Sequence, residues 1–212
     1  MISIGFCCMH ATFNKSRSEL FHSEILPNWA RENVLPSMSL SHTPGTLWAT
    51  AKRAWLMSSE EPGCTHWMVL QDDFVLCKNF MQHATEFVSR HPSEACCLFQ
   101  PATIHPQDCE QQMERGAEFA TSDTLWGGSI VLPSAIVKNV MDIASSFNLF
   151  QNEDDVRISS ALNVLGIPAW VCSPSLIRHV GALHESLSGH TKNDAETVRY
   201  RLGYTFRDNP ET

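Results

Sequence analysis

Short apolar runs alternate with segments of helical periodicity along most of the chain. The apolar runs have the length and composition of buried strands. They cover residues 2–8, 38–40, 66–70, 95–99, 129–132 and 169–172. The segments with helical spacing cover residues 16–25, 46–57, 79–90, 133–146 and 154–165. This alternation predicts an α/β fold in which a mixed, mainly parallel sheet is flanked by helices.

The rest of the pattern indicates one domain. Residues 105–116 are polar and unpatterned, which favours a loop over one edge of the sheet. Residues 191–212 are also polar, as terminal tails and lids often are. A chain of 212 residues is usually a single domain with one core. We therefore expect a domain over residues 1–190, followed by a polar tail or lid.

Composition narrows the class of protein. With 43% hydrophobic and 18% charged residues, the chain has the make-up of a folded globular protein. The net charge of −8 argues against a wholly basic, nucleic-acid-coating surface, although a local basic groove for DNA remains compatible with it. No stretch approaches the roughly 18 apolar residues that span a bilayer. The N-terminus MISIGFCCMH lacks a basic signal-peptide region. We expect no membrane insertion and a cytoplasmic location.

The eight cysteines show no C-x-x-C spacing. Two adjacent pairs, Cys7-Cys8 and Cys96-Cys97, lie inside apolar runs. Neighbouring side chains in a strand point to opposite faces, which disfavours a shared metal or a disulfide. These residues are predicted to be reduced thiols in the core.

Two adjacent carboxylates follow a buried run in THWMVLQDDF, residues 65–74. Ligands of open α/β sheets bind outside the carboxyl ends of the strands, where Asp72 and Asp73 would fall. A divalent cation such as Mg²⁺ or Mn²⁺ would offset the repulsion between the two charges. In the alternative interpretation, one of them forms an Asx-turn or caps the next helix.

A predicted helix precedes the acidic strand. In PGTLWATAKRAW, residues 44–55, helical spacing places Thr46, Thr50 and Arg53 on one face. Hydroxyl and guanidinium groups there could hold a nucleotide base, ribose or phosphate, because Arg binds phosphate with two parallel donors. Arg53 could equally be an ordinary solvated arginine.

Two glycines in Trp126-Gly127-Gly128 precede the apolar run SIVLP. Glycine lets a backbone approach a bulky ligand closely and adopt a positive φ, so Gly127 and Gly128 could lie against a sugar or an acceptor. A simple β-turn or bulge is the alternative.

Later in the chain, Asp154 and Asp155 begin a helical segment and His179 ends a strand-like run. The two carboxylates either cap the helix N-terminus or face the cleft and accept a proton. His179 precedes Gly181, which fits a side chain leaving the sheet towards the cleft, where a neutral imidazole could complete a metal shell.

Taken in order, these pieces resemble the small glycosyltransferases of the GT-A fold, particularly the bacteriophage enzymes that glycosylate hydroxymethylated pyrimidines in DNA. The resemblance implies a single-domain, Rossmann-like GT-A fold. It also implies transfer of sugar from a nucleoside diphosphate sugar, such as UDP-glucose, with Mn²⁺ or Mg²⁺. If the chain is phage-encoded, the enzyme would act in the host cytoplasm.

The resemblance also assigns roles to residues. Gln71-Asp72-Asp73 is similar to the D-x-D motif, with Asp73 as the metal ligand and Asp72 near the ribose or the metal's waters. Gln71 departs from that motif and weakens the case for strict metal dependence. His179, before His184, would be the second metal ligand, and Asp154, with Asp155 as rival, the general base. The sequence leaves retention or inversion open.

Two other classes of function remain compatible with the sequence. One is a glycosyltransferase of lipopolysaccharide or surface glycan synthesis, although the chain has no basic amphipathic helix for a membrane surface. The other is a non-catalytic nucleotide-binding module, which would tolerate the loss of the acidic residues.

Overall fold

A computed structural model describes residues 1–43, 47–60, 63–99, 119–121, 125, 128–147, 154–172 and 174–180. The strands are β1 (Ile4–Ala11), β2 (Ser37–Ser41), β3 (His66–Gln71), β4 (Phe74–Leu76), β5 (Ala95–Cys97), β6 (Phe119–Thr121), β7 (Ile130–Pro133), β8 (Ala169–Val171) and β9 (Ile177–His179). The α-helices are α1 (Lys15–Leu20), α2 (Leu26–Arg31), α3 (Leu47–Leu56), α4 (Phe80–Arg90), α5 (Ser134–Ser146) and α6 (Asp154–Leu165). A π-helical turn, Phe21–Ile25, joins α1 to α2, and a 3₁₀ turn, Met57–Glu60, follows α3.

The main sheet has seven strands in the order β2-β1-β3-β7-β5-β8-β6. Its β1-β2, β1-β3 and β5-β8 pairs are parallel, and the pairs made by β7 and β6 are antiparallel. Five strands therefore run in one direction and two in the other. The prediction of a mixed, mainly parallel sheet flanked by helices is confirmed.

Side-chain alternation divides the core between the two faces of the sheet. One face packs against the α1–α2 segment and α4 through large residues such as Phe21, Trp29 and Phe80. The other packs against α3, α5 and α6 and includes Trp55. Both faces are thus buried, as expected for an α/β sandwich.

The cysteines follow the same alternation. Cys7 and Cys97 belong to the core on the α3 face, whereas Cys8 and Cys96 belong to the core on the α4 face. All the described cysteines are free thiols, and Cys109 lies outside the described residues. Burial raises the pKa of Cys7 to about 12, so this thiol stays protonated at neutral pH. The prediction of reduced core thiols is confirmed for the described cysteines except Cys64, which is a free thiol but only half-buried.

A second, two-stranded sheet was not predicted. It pairs β4 with β9 in antiparallel register, with Phe74 opposite His179. The backbone of β4 is also bound on its other side by α2. The Asn28 amide binds both the N–H and the C=O of Leu76, at 2.8 and 3.2 Å, and the Trp29 indole donates to the Phe74 carbonyl at 2.8 Å. The small sheet is therefore held between α2 and β9.

The helical region at residues 16–25 extends further than its pattern predicted. Pro27 lies in the first turn of α2, directly after the π-helical turn. Proline has no backbone N–H, and this loss costs least in the first turn of a helix. The predicted loop 105–116 and the predicted tail 191–212 lie outside the described residues. None of the described helices is both long and apolar enough to cross a bilayer.

The Trp29→Phe substitution is expected to destabilise the protein. It leaves the buried Phe74 carbonyl without its donor, which costs about 1–3 kcal/mol of unfolding free energy, and the smaller ring adds a cavity. Urea denaturation measures the difference. Trp48→Phe is the matched control, because the Trp48 ring is only half-buried beneath Arg157. Equal stabilities of the two variants would contradict the role given to Trp29.

Candidate functional site

Parallel pairing brings the ends of β1 and β3 together at one edge of the sheet. Met9 is opposite Gln71 in the β1-β3 register, so Asp72 and Asp73 follow beside the end of β1. Beyond β1, the Asn14 side chain caps α1 by accepting the Arg17 N–H at 3.0 Å. This turn places the first helix directly over the acidic pair.

Five polar residues meet there in a buried ion cluster: His10, Arg17, Asp72, Asp73 and His179. The exposed fraction of the five residues ranges from 0% for Asp72 to 5% for His179. Asp72 Oδ2 accepts from the Ala11 N–H at 2.8 Å and lies 2.7 Å from His10 Nδ1, while its Oδ1 accepts from Arg17 Nε. Both oxygens of Asp72 are therefore occupied.

Asp73 is held by the same guanidinium and by the end of β9. Its Oδ2 lies 3.1 Å from an Arg17 terminal nitrogen and 2.9 Å from His179 Nε2. The Val180 N–H donates to the Asp73 carbonyl at 2.9 Å, which extends the pairing of the small sheet. The predicted proximity of His179 and Asp73 is what the structure shows.

The charges in the cluster stabilise one another. Burial alone would raise the pKa of Asp73, but the Arg17 guanidinium and then His179 outweigh it and hold that pKa well below its usual range. Burial would likewise lower the pKa of Arg17, but Asp73 and Asp72 raise it. Asp73 and Arg17 therefore stay ionised across the physiological pH range.

The described residues do not complete a divalent metal site. Asp73 and His179 offer two donors, and Asp73 Oδ1 has no hydrogen bond from another described residue. Magnesium-type ions prefer oxygen ligands and are usually held by one or two carboxylates together with waters and substrate phosphates. No group of three or more His, Cys, Asp and Glu side chains within the described ranges is placed to hold such an ion. Arg17 already supplies a positive charge at this position.

A cleft adjoins the cluster on the outer side of α1. Its volume is about 620 Å³, and it is lined by Thr12, Lys15, Ser18, Glu19, His22 and Ser23. Ser18 Oγ lies 3.4 Å from His10 Nε2, so the buried imidazole is the link between the cluster and the cleft.

Sequence reasoning missed His10 and Arg17. The available signal was that His10 closely follows the predicted strand 2–8 and that Arg17 lies at the start of the next predicted helix, 16–25.

Thr50 and Arg53 lie on α3, which packs on the face opposite α1. The Thr50 carbonyl accepts from Ser39 Oγ at 3.0 Å. Arg53 Nε donates to Ser39 Oγ at 3.0 Å, and its terminal nitrogen donates to the Leu40 carbonyl. In the structure these residues join α3 to the edge strand β2. Thr46 lies outside the described residues.

Gly128 packs closely against the acidic strand, while Trp126 and Gly127 lie outside the described residues. Gly128 has a φ of +76°, and an added Cβ would come within 2.5 Å of the Gln71 side chain and 2.9 Å of the Phe74 ring. The close approach that this glycine allows in the structure is thus to protein atoms at the end of β3 and the start of β4.

Asp154 and Asp155 begin α6, as predicted. Asp154 is buried and Asp155 is half-buried. The Asp155 Oδ1 accepts the Val156 N–H at 2.8 Å. The Leu125 N–H donates to Ser159 Oγ at 2.8 Å, which joins this helix to the chain just before the glycines. His184, the alternative metal ligand, lies outside the described residues.

Comparison with known proteins gives likeness in fold only. No protein-family model matches the chain, and no curated protein matches it. A glycosyltransferase involved in the glycosylation of the major capsid of PBCV-1 superposes with a TM-score of 0.53 at 13% identity, over 84% of this chain and 94% of that one. The chain shares its overall fold with that protein. A197 from STIV superposes with a TM-score of 0.55 at 11% identity, over 84% and 85% of the two chains.

The depressed pKa of Asp73 predicts a loss of stability in acid. A carboxyl whose folded pKa lies below its unfolded value of about 3.9 stabilises the protein above that pH and ceases to do so as the pH falls through the folded pKa. Asp73→Asn is therefore expected to lower the unfolding free energy at pH 7 by about 3–5 kcal/mol, because Arg17 loses a buried partner. The variant should also show a flatter pH dependence below pH ~4.

Urea denaturation from pH 7 to pH 2.5 measures both effects. Asp142→Asn is the control, since Asp142 is exposed and pairs with Lys138 on the surface of α5. Parallel stability curves for wild type and Asp73→Asn would contradict the electrostatic role of Asp73.

Proposed function

We propose that this protein is a glycosyltransferase that moves a sugar from a nucleoside diphosphate sugar, UDP-glucose or a close analogue, to a hydroxyl group. The proposed acceptor is a 5-hydroxymethylpyrimidine in DNA. The observation that supports it most is the ion cluster at the carboxyl end of β3, inside a glycosyltransferase-like fold. Polar groups gathered at that edge are where open α/β sheets bind their ligands.

The donor would bind along this edge. Sugar transfer leaves negative charge on the departing diphosphate, so cationic and hydroxyl groups facing it lower the barrier most. Lys15, Thr12 and Ser18 line the cleft beside the cluster and supply such groups. We keep Thr50, Arg53, Gly127 and Gly128 as further proposed contacts of the donor. In this arrangement Asp72 and Asp73 act by ordering the site.

The acceptor hydroxyl must lose a proton as the new bond forms. Asp154 and Asp155 begin α6, and the Leu125–Ser159 bond joins that helix to the segment leading to Gly128. If the reaction inverts the anomeric centre, one of these carboxylates would take the proton. If it retains configuration, the same carboxylate would stabilise positive charge on the sugar. A base in duplex DNA would first have to be extruded from the stack.

A second acceptor class is favoured by one finding. The structural neighbour named above is involved in the glycosylation of the major capsid of PBCV-1. A surface glycan or glycoprotein hydroxyl is therefore the alternative acceptor for this chain. A nucleotide-binding module without catalysis is the third possibility.

The proposal is tested by incubating the protein with UDP-glucose and DNA that contains 5-hydroxymethylcytosine, with Mn²⁺ present so that a metal-dependent enzyme is also detected. Nucleoside mass analysis should show an added hexose. DNA with unmodified cytosine is the control for the acceptor hydroxyl. Donor hydrolysis without DNA modification would favour the glycan alternative, and donor binding with neither event would favour the non-catalytic module.

Substitution of the α6 carboxylates tests the proposed base. Asp154→Asn and Asp155→Asn remove the proton acceptor with little change in shape. The variant that loses the base should show kcat lowered by about 10²–10⁴-fold, the usual contribution of general-base catalysis. Its affinity for the donor should be unchanged in calorimetry. If both variants keep wild-type kcat, neither carboxylate accepts the proton.

A further inference from the structure

Asp72 and Asp73 are neutralised by a group inside the fold. Both carboxylates are essentially inaccessible, with exposed fractions of 0% and 1%. Two adjacent buried negative charges cost several kcal/mol per ion unless a positive charge offsets them. In this chain that charge comes from a side chain already inside the fold, since the Arg17 guanidinium contacts both carboxylates.

The geometry of Arg17 is specific to this role. Its Nε donates to Asp72, and one terminal nitrogen lies 3.1 Å from Asp73. A guanidinium presents its donors in a rigid plane and keeps its charge at every physiological pH. The residue is itself 3% exposed, and it is carried into position by a helix that the Asn14 side chain caps. The cation is therefore a fixed part of the fold.

The remaining ligand capacity of the pair is small. Both oxygens of Asp72 are already engaged, Oδ2 by His10 and the Ala11 N–H and Oδ1 by Arg17. On Asp73, Oδ2 faces Arg17 and His179, which leaves Oδ1 as the oxygen without a hydrogen bond from another described residue. A divalent ion would have to displace the guanidinium from a buried position to gain a second carboxylate oxygen.

We infer that Arg17 is the resident cation of the acidic pair, and that the site works without a bound divalent metal ion. The consequence for catalysis rests on the proposed function, because it concerns sugar transfer. The consequence for metal binding does not, because it concerns the folded protein alone. In this view Asp72, Asp73 and Arg17 are positioning residues that fix His10 and His179 at the two sides of the cluster.

Manganese binding tests the inference directly. Chelator-treated wild-type protein is titrated with Mn²⁺ while electron paramagnetic resonance follows the free ion. We expect a Kd weaker than about 1 mM, below the affinity of most functional oxygen-ligand sites. A tighter one-to-one site that disappears in Asp73→Asn would overturn the inference. A tighter site that survives in Asp73→Asn lies elsewhere in the chain and agrees with it.

Arg17→Gln supplies the converse test. This variant removes the internal cation and leaves two under-compensated carboxylates, so its Mn²⁺ affinity should rise at least tenfold over wild type. Lys15→Gln is the matched control, because it removes an exposed positive charge from the same helix outside the cluster. An unchanged Mn²⁺ affinity in folded Arg17→Gln would contradict the inference, and if that variant does not fold, the wild-type titration decides.

The catalytic consequence is tested by adding EDTA to the transfer assay. We expect wild-type turnover to change by less than twofold. Loss of turnover in EDTA that Mn²⁺ restores would overturn the inference. Failure to transfer sugar under every condition would count against the proposed function alone, and the manganese titration would still decide whether Arg17 holds the place of a metal ion.

Discussion

The contact between the Arg17 guanidinium and the two carboxylates of Asp72 and Asp73 is the interaction on which this edge of the protein depends. It joins the first helix to the end of a central strand, and through Asp73 it reaches His179 at the end of β9. These segments are far apart in the chain, and the contact ties them together in addition to apolar packing and strand pairing. Electrostatics in a dry environment gives them one common arrangement.

The fold was largely readable from the sequence because its main strands and helices carry strong local patterns. Apolar runs such as residues 66–70 and the helical spacing of 133–146 are sufficient to identify β3 and α5. A strand-like run ending at His179 was predicted, but its pairing with β4 in a small sheet was not, for a physical reason. Three-residue strands such as β4 and β9 have no periodicity of their own, and they exist because distant backbones complete their hydrogen bonds.

Residues of the candidate site were predictable only where an ionisable side chain directly follows a predicted strand. Asp72 and Asp73 were placed at the sheet edge because they follow an apolar run, and His179 was expected beside them for a similar reason. The burial of Asp72 and Asp73 could not be predicted from the neighbouring sequence, because it depends on α1, which packs over them. His10 and Arg17 became neighbours of Asp72 through the β1-β3 register, which only the folded chain defines.

The hydrogen bonds from α2 to β4 also affect whether a strand of another chain can pair with the small sheet. An uncovered strand edge is a template for adding a foreign strand, and proteins commonly block such edges. Here the outward-facing groups of Leu76 and Phe74 are already taken by the side chains of Asn28 and Trp29. Those two side chains occupy the backbone groups that a neighbouring strand would bind. The small sheet therefore cannot self-associate along this edge of β4.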